Sequence, residues 1–221
     1  MMKLLVTYGK EGRMRFASHR DFARCFERAL RRAEIPMAYS SGFSPHPRIS
    51  YINPAPTGAE SDAEYVVIGL SELCDPGLVR KNLAAAMPDG FPVVDVREAG
   101  DQNFEASVWE VTVASADPST MAGAVRAYEM ASQAVVSRMT KNGLRTFDTK
   151  AAVKSLAVSG AQALTMVIRH TEPLVRPDDV VNALRALGLD AGQIPPLMKR
   201  LRQGPTSDLV ASVQPVSAVV N

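Results

Sequence analysis

A loop at residues 40–50, rich in serine, proline and glycine, carries the side chains best suited to binding an anion. Gly42 lets a ligand approach the backbone closely, and Pro45 and Pro47 restrict the shape of the loop. His46 and Arg48 supply nitrogen donors, and the serine hydroxyls can donate or accept hydrogen bonds. This composition predicts a preorganised pocket for a phosphate or a nucleotide, and the alternative is a rigid cover for one end of a sheet. The serines are Ser40, Ser41, Ser44 and Ser50.

A second group of polar residues surrounds the start of a predicted helix at residues 18–34. Ser18 and Asp21 have the spacing of a capping box, and Pro36 ends the pattern. His19 falls in the first turn, where unpaired amides attract phosphate and keep a histidine neutral; the alternative is simple packing against the loop or solvent. Arg24 belongs to a row of arginines on the polar face, which predicts either contact with nucleic-acid phosphates or a solvated surface.

Three carboxylates, Glu60, Asp62 and Glu64, occur around Ser61 at the start of a predicted strand. Such groups can do acid/base work or bind magnesium, but we expect them to pair with the basic helix or to remain hydrated. The sequence contains no phosphate-binding glycine motif, no nucleophile elbow and no His-Glu-x-x-His helix. It therefore predicts no metal site and no cofactor, and it favours a chain without independent catalytic activity over an enzyme.

The composition of the 221 residues is that of a globular protein, with 46% hydrophobic and 22% charged residues. The net charge of +2 is unevenly distributed, because residues 1–50 contain ten Lys and Arg against four Asp and Glu. Two cysteines are too few for a disulfide framework, a zinc ribbon or a cluster held by three thiolates. Without a signal peptide or an apolar run of ~20 residues, we expect a cytoplasmic protein that does not enter a membrane.

The predicted elements follow the order β α β β α β twice, which is the order of a ferredoxin-like unit. The predicted fold class is α+β: tandem ferredoxin-like units with antiparallel sheets and helices on one face, at residues 1–100 and 101–221. Three elements of this prediction are a strand at residues 13–16, one helical pattern over residues 118–139, and a last strand at residues 208–213.

Four stretches together resemble a known family: residues 15–21 (RFASHRD), 27–33 (ERALRRA), 39–50 (YSSGFSPHPRIS) and 58–65 (GAESDAEY). The family is the bacterial radical SAM-linked domain of unknown function. It is found as a short free-standing protein or at the end of a larger radical S-adenosylmethionine protein, often near genes for ribosomal proteins and a ribonuclease. This chain differs from the family pattern at Arg20, where leucine is commoner, and at Ser44, where asparagine is commoner. The resemblance implies a separately encoded radical SAM protein as partner.

The resemblance and the residues together lead to three hypotheses. The first is an accessory domain that binds RNA or a nucleotide-bearing substrate and presents it to a radical SAM enzyme. The second is a metal-independent endoribonuclease, because tandem ferredoxin-like units are similar to the CRISPR-type repeat-associated RNA-processing proteins; His19 or His46 would be the base, and Arg15 or Arg48 would stabilise the phosphorane. The third is a protein–protein adaptor that does not touch RNA. The predicted substrate- or RNA-binding residues are Arg15, Ser18, His19, Arg24, Tyr39, Ser40, Gly42, Phe43, Ser44, His46, Arg48, Glu60 and Ser61.

Overall fold

The computed structural model describes residues 1–140 and 143–213. The chain divides into two compact units, Met1–Gln102 (unit 1) and Asn103–Asn221 (unit 2). Both combine helices with antiparallel strands, which confirms the α+β fold class. Among the described residues, no helix has the length and apolar character needed to cross a bilayer.

Unit 1 contains one antiparallel sheet in which the spatial order of the strands is β4-β1-β3-β2. The chain order is β α β β α β, with a short 3-10 helix at Gly12–Phe16 after the first strand. The elements are β1 (Met2–Lys10), α1 (His19–Arg32), β2 (Ile49–Ile52), β3 (Glu60–Leu70), α2 (Pro76–Ala86) and β4 (Val93–Glu98).

The core of unit 1 lies between the helices and one face of this sheet. Alternate residues of β1, including Tyr8, are buried there, and their partners lie on β3. The predicted apolar stripe of α1 is confirmed: Phe22 and Phe26 are buried, and the Phe22 ring stacks on Tyr8 with centroids 4.3 Å apart. Burying aromatic rings of this size supplies much of the stabilisation of such a small core.

The capping box that the sequence predicts at the start of α1 is present. The Ser18 hydroxyl accepts the Asp21 amide at 3.2 Å, and the Asp21 carboxylate accepts the Ser18 amide at 3.3 Å. The predicted strand at residues 13–16 is wrong. Gly12 has a φ of 55°, which turns the chain away from β1, and the Met14 amide then closes a local turn on Glu11 O at 3.0 Å instead of joining a ladder.

Unit 2 contains an antiparallel sheet with the strand order β10-β5-β9-β8 and a separate hairpin formed by β6 and β7. Its elements are β5 (Ala106–Thr112), α3 (Pro118–Met130), β6 (Val135–Thr140), β7 (Gly143–Asp148), β8 (Val153–Gly160), β9 (Ala163–Arg169), α4 (Pro177–Ala186), β10 (Leu197–Gly204) and α5 (Thr206–Ser212).

Two predictions in unit 2 are wrong. The helical pattern over residues 118–139 ends at Met130, because the β-branched pair that follows begins β6 and aligns Val136 with Phe147. The predicted strand at 208–213 is the helix α5, and it buries Leu209 against the sheet. The last strand of the described residues is β10, and its charged residues made it hard to predict as a strand. Arg200, for example, is only 2% exposed, because its guanidinium lies over the Trp109 ring at 5.3 Å.

Candidate functional site

The serine-proline loop of unit 1 is an ordered hairpin-like loop. The Arg48 amide donates to Ala38 O at 2.8 Å, and the Ser40 amide donates to His46 O at 2.8 Å. The Ser40 hydroxyl also accepts the His46 amide at 3.0 Å. This hydroxyl therefore holds the stem of the loop together, and the loop is preorganised as the sequence analysis expected.

The stem of this loop and the neighbouring strands enclose a cavity of about 360 Å³, which we call the loop pocket. Its volume is in the range of small-molecule sites. Strand β1 contributes Lys3, β2 contributes Ser50 and β3 contributes Gly69, so three strands as well as the loop shape it. The lining residues are Met1, Lys3, Ser40, Ser41, His46, Pro47, Arg48, Ile49, Ser50, Val67 and Gly69.

The charge of the loop pocket suits an anion. Lys3, His46 and Arg48 line it, and no carboxylate belongs to its lining. The Arg48 Nε donates to Tyr39 O at 3.3 Å, which fixes the side chain and leaves the two terminal nitrogens for a ligand. A Cβ added to Gly69 would lie 3.1 Å from the Arg48 Cβ, so the glycine lets this arginine lie close to the strand.

Exposed aromatic rings flank the loop pocket. Phe43, at the tip of the loop, is fully exposed, and Tyr39 in the stem is 52% exposed. Gly42 precedes Phe43 with a φ of 125°, a conformation that other residues rarely adopt, and Ser44 after it is also exposed. Exposed rings beside cationic groups are typical of surfaces on which unpaired bases stack.

A second set of predicted residues gathers at the other end of β1, around the 3-10 helix and the start of β3. The Arg15 guanidinium lies 3.6 Å from the Glu60 carboxylate, which also accepts the Gly12 amide at 3.1 Å. The Gly58 amide donates to Arg15 O at 2.7 Å. Two of the four stretches that carry the family resemblance, at residues 15–21 and 58–65, are therefore neighbours in space.

The polar side chains of this second set already have structural roles. The Ser18 hydroxyl caps α1, and the Ser61 hydroxyl is buried and accepts the Ala63 amide at 3.2 Å. The exposed His19 meets the ring of Tyr51 edge to face, with centroids 4.7 Å apart. Burial, and secondarily the charge of Glu27, raises the pKa of Tyr51.

Two charged residues at this end, Lys10 and Glu64, are buried, although the sequence analysis did not consider Lys10 and expected Glu64 to pair with the basic helix or to remain hydrated. Their side chains are almost fully buried, at 6% and 2% exposed. Glu64 accepts the Ala55 amide at 3.0 Å, and the Lys10 ammonium donates to Pro56 O at 3.2 Å. The alternation of side chains along β3 could have predicted the burial of Glu64, because Glu64 lies on the same strand face as the buried Val66.

Lys10 and Glu64 line a small chamber together with Ser18 and His19. Its volume of about 10 Å³ holds no more than one water molecule. In this conformation the chamber is therefore a packed polar junction that holds residues 55–56 in place, and of these two sites the loop pocket is the one with room for a ligand.

The two groups of predicted residues are not brought together. Lys3, in the loop pocket, and Lys10, in the chamber, are seven residues apart on β1, which corresponds to about 23 Å of strand. The chamber lies on the helical side of the sheet with Tyr8, whereas the loop pocket takes Lys3 and Val67 from the other face. His19 and His46 therefore do not converge, and neither do Arg15 and Arg48. Arg24 lies on the exposed face of α1 and lines neither cavity.

Unit 2 contains a serine–histidine contact that is structural in this conformation. The His170 Nδ1 donates to Phe104 O at 2.7 Å, so its Nε2 accepts the Ser107 hydroxyl at 2.8 Å. Burial lowers the pKa of His170. Because Ser107 is fully buried, a substrate cannot reach its hydroxyl. Across the described residues, no group of three or more His, Cys, Asp and Glu side chains could hold a metal ion.

Comparison with known proteins identifies the class of protein. The family model described as an uncharacterized protein conserved in bacteria (DUF2344) matches residues 3–177. The chain belongs to this family, which confirms the expected bacterial domain of unknown function. A search of curated proteins finds no match.

Among solved structures, 22 chains match. One is described as the crystal structure of an unknown protein from Galdieria sulphuraria, with 16% sequence identity and a TM-score of 0.26. The match covers 90% of this chain and 98% of that one. At this level of superposition the match says nothing about the activity of the present chain.

Proposed function

We propose that the chain is an accessory binding domain that holds RNA or a nucleotide-bearing substrate in the loop pocket and works beside a separately encoded radical SAM enzyme. In this proposal unit 1 is a ferredoxin-like unit, since its strand order β4-β1-β3-β2 is that of the fold. Unit 2 is a second such unit, with the order β10-β5-β9-β8 and the β6-β7 hairpin inserted after its first helix.

One observation carries the binding proposal: Lys3, His46 and Arg48 surround a cavity of about 360 Å³ that no carboxylate lines. The cationic groups of Lys3 and Arg48, with no carboxylate in the lining, repel one another, and an anionic ligand offsets that repulsion. The serine hydroxyls add neutral donors for phosphate oxygens. The exposed rings of Phe43 and Tyr39 supply stacking surfaces for bases, and a simple inorganic anion would not need them.

The partner proposal rests on the family resemblance and on the cysteine content. The two cysteines, Cys25 and Cys74, cannot form the three-thiolate ligand set of a radical SAM cluster, so that chemistry would occur on another chain. The adaptor hypothesis differs in one respect only, which is that the loop pocket would have no ligand.

Equilibrium binding tests the proposal with two probes: 5′-AMP, and a fluorescent single-stranded oligoribonucleotide of 20 nucleotides. We expect the double change Lys3→Gln and Arg48→Gln to weaken both probes, and Phe43→Ala to weaken the oligonucleotide by about 5- to 150-fold, the equivalent of one lost stacking contact. The control is Arg80→Gln with Arg126→Gln, which removes the same charge from exposed helical positions. Binding of neither probe, or equal loss in the control, would refute the loop pocket as the site.

The partner is tested separately by mixing the purified chain with the radical SAM protein of the same bacterium and measuring the mass of any complex. A stable complex that survives the Lys3→Gln, Arg48→Gln change supports an accessory role. Two separate species at micromolar concentrations, with and without RNA, would contradict it.

The endoribonuclease alternative keeps one supporting observation, since His46 and Arg48 line the same pocket. A histidine base and a nearby guanidinium are the groups that metal-independent RNA cleavage requires. His19 cannot be the base beside Arg48, because it lies on the other side of the sheet. The alternative requires RNA products with 2′,3′-cyclic phosphate ends that disappear in His46→Ala.

A further inference from the structure

Helix α1 carries a row of three arginines that form no ion pair or hydrogen bond with the described part of the chain. Arg20, Arg24 and Arg28 are all exposed, and within residues 1–140 and 143–213 none of them forms an ion pair or a hydrogen bond. We call them the arginine row. They are spaced by four residues, so successive side chains are about 6 Å apart along the helix axis.

The other arginines of the same helix behave differently. Arg31 lies 3.5 Å from the Glu27 carboxylate, and Arg32 donates to Ala86 O at 2.6 Å. The helix thus satisfies its last two guanidinium groups within unit 1, whereas the arginine row, over its first ten residues, forms no ion pair or hydrogen bond among the described residues.

The scaffold of the row is rigid. The capping box fixes the start of α1, and Phe22, Phe26 and Leu30 bury its opposite face in the core. Asp21, a carboxylate on the same helix, is held by Ser18: these hydrogen bonds lower the pKa of Asp21, and the positive charges of Arg24 and Arg20 lower it further. The row is therefore a fixed strip of positive potential.

We propose that the arginine row is a second nucleic-acid surface, which binds the phosphate backbone of a strand too long to be held by the loop pocket alone. This inference rests on the proposed function and deepens it, because it makes the ligand a polynucleotide. One guanidinium group can donate to two oxygens of the same phosphate. All three members of the row are arginine, so each can bind a phosphate in this way. The row lies on α1, on the helical side of the sheet, so it contacts a different part of the ligand from the loop pocket.

A nucleic acid explains this surface better than an acidic protein does. Backbone phosphates repeat at regular intervals, which suits charges at a constant spacing along one line. The same unit also presents the cationic pocket and the exposed Phe43 ring. An acidic protein partner would neutralise the arginine row but would not stack on the Phe43 ring as a base does.

The experiment measures the salt dependence of binding of the 20-nucleotide single-stranded probe between 50 and 200 mM salt. The variant combines Arg20→Gln, Arg24→Gln and Arg28→Gln. Each phosphate contact to a single strand contributes about 0.7 to the slope of log affinity against log salt, so losing three lowers the slope by about 2. Over this fourfold range of salt, the wild type should lose about 16-fold more affinity than the variant.

The matched control combines Arg80→Gln, Arg126→Gln and Arg185→Gln, three exposed helical arginines elsewhere in the chain. We expect the control to keep a slope close to that of the wild type, and the row variant to bind 5′-AMP as the wild type does. An unchanged slope in the row variant, or an equal change in the control, overturns the inference.

The outcomes also separate this inference from the proposed function. If the loop-pocket changes weaken binding of the oligonucleotide and the row changes do not, the row inference is wrong and the loop pocket remains the proposed site. If the row changes weaken binding of the oligonucleotide and the loop-pocket changes do not, the loop pocket is wrong as the site and the row inference is supported. If the row variant binds RNA normally but no longer binds the radical SAM protein, the surface is a protein interface and the inference is wrong.

Discussion

Replacing Tyr51 with phenylalanine should stabilise unit 1, although the change removes a polar group from a tyrosine that contacts His19. The Tyr51 hydroxyl is buried and forms no hydrogen bond within the described residues, while its ring contacts His19 at 4.7 Å and Phe22 at 6.0 Å. Phenylalanine keeps the ring and removes the hydroxyl. Leaving such a group buried without a partner costs about 1–3 kcal/mol, so we expect a free energy of unfolding higher by about 1 kcal/mol.

Tyr128 in unit 2 provides the matched control, because its hydroxyl lies 2.9 Å from the Thr149 hydroxyl in a buried position. Tyr128→Phe should therefore lower the free energy of unfolding by about 1 kcal/mol. Urea unfolding measures both changes, and hydrogen exchange followed by mass spectrometry assigns each change to its unit. A destabilised Tyr51→Phe protein with an unchanged m-value would show that the hydroxyl has a partner, such as a bound water, and would refute the reasoning.

Three further predictions concern other positions. Gly69→Ala should weaken 5′-AMP binding while the far-UV circular dichroism spectrum stays the same, because the new methyl group would displace Arg48; undiminished affinity would show that the strand adjusts. Burial lowers the pKa of His170, so its ring should titrate below 6.5 by NMR. Because this folded-state pKa is lowered, unit 2 should be fully stable above pH ~6.5 and lose stability as the pH falls, and a flat stability profile from pH 7.5 to 5.5 would contradict this. Glu64→Ala should destabilise unit 1 by about 1–3 kcal/mol in urea unfolding, because it leaves the Ala55 amide without its buried acceptor, and an unchanged free energy of unfolding would contradict that role.

Much of unit 1 could be predicted because local patterns and tertiary structure agree there. Ser18 and Asp21 mark the start of α1 by their own hydrogen bonds, and the apolar stripe that includes Phe22 and Phe26 marks its buried face. Interactions within a few residues of one another are read directly from the sequence. The element order of unit 1 followed from them.

Unit 2 was harder to predict because its elements depend on distant partners. The strand β10 looks charged, yet Arg200 is covered by packing against Trp109 on β5, about ninety residues earlier in the chain. Helix α5 begins directly after Pro205, and its position follows from the burial of Leu209, which its own sequence does not specify. Only the tertiary contacts decide such segments.

The candidate site was predicted in composition but not in arrangement. The sequence places His19 and His46 in the same basic segment, and it contains no local signal for the face of the sheet on which each lies. The register of β1 with β3 settles this, because it puts Lys3 opposite Gly69 at one end and Tyr8 opposite Glu64 at the other. The predicted residues therefore belong to two separate places in unit 1.

The tip of the serine-proline loop can change in sequence without altering the stem of the loop or the strands that form the loop pocket. The stem is closed by backbone hydrogen bonds between residues 38 and 48 and between residues 40 and 46, while Gly42, Phe43 and Ser44 are exposed beyond it. Lys3 and Ser50 reach the cavity from strands that do not depend on the tip. Exchange of a few tip residues in related chains would therefore change the surface around the pocket, while the floor formed by the strands stays the same.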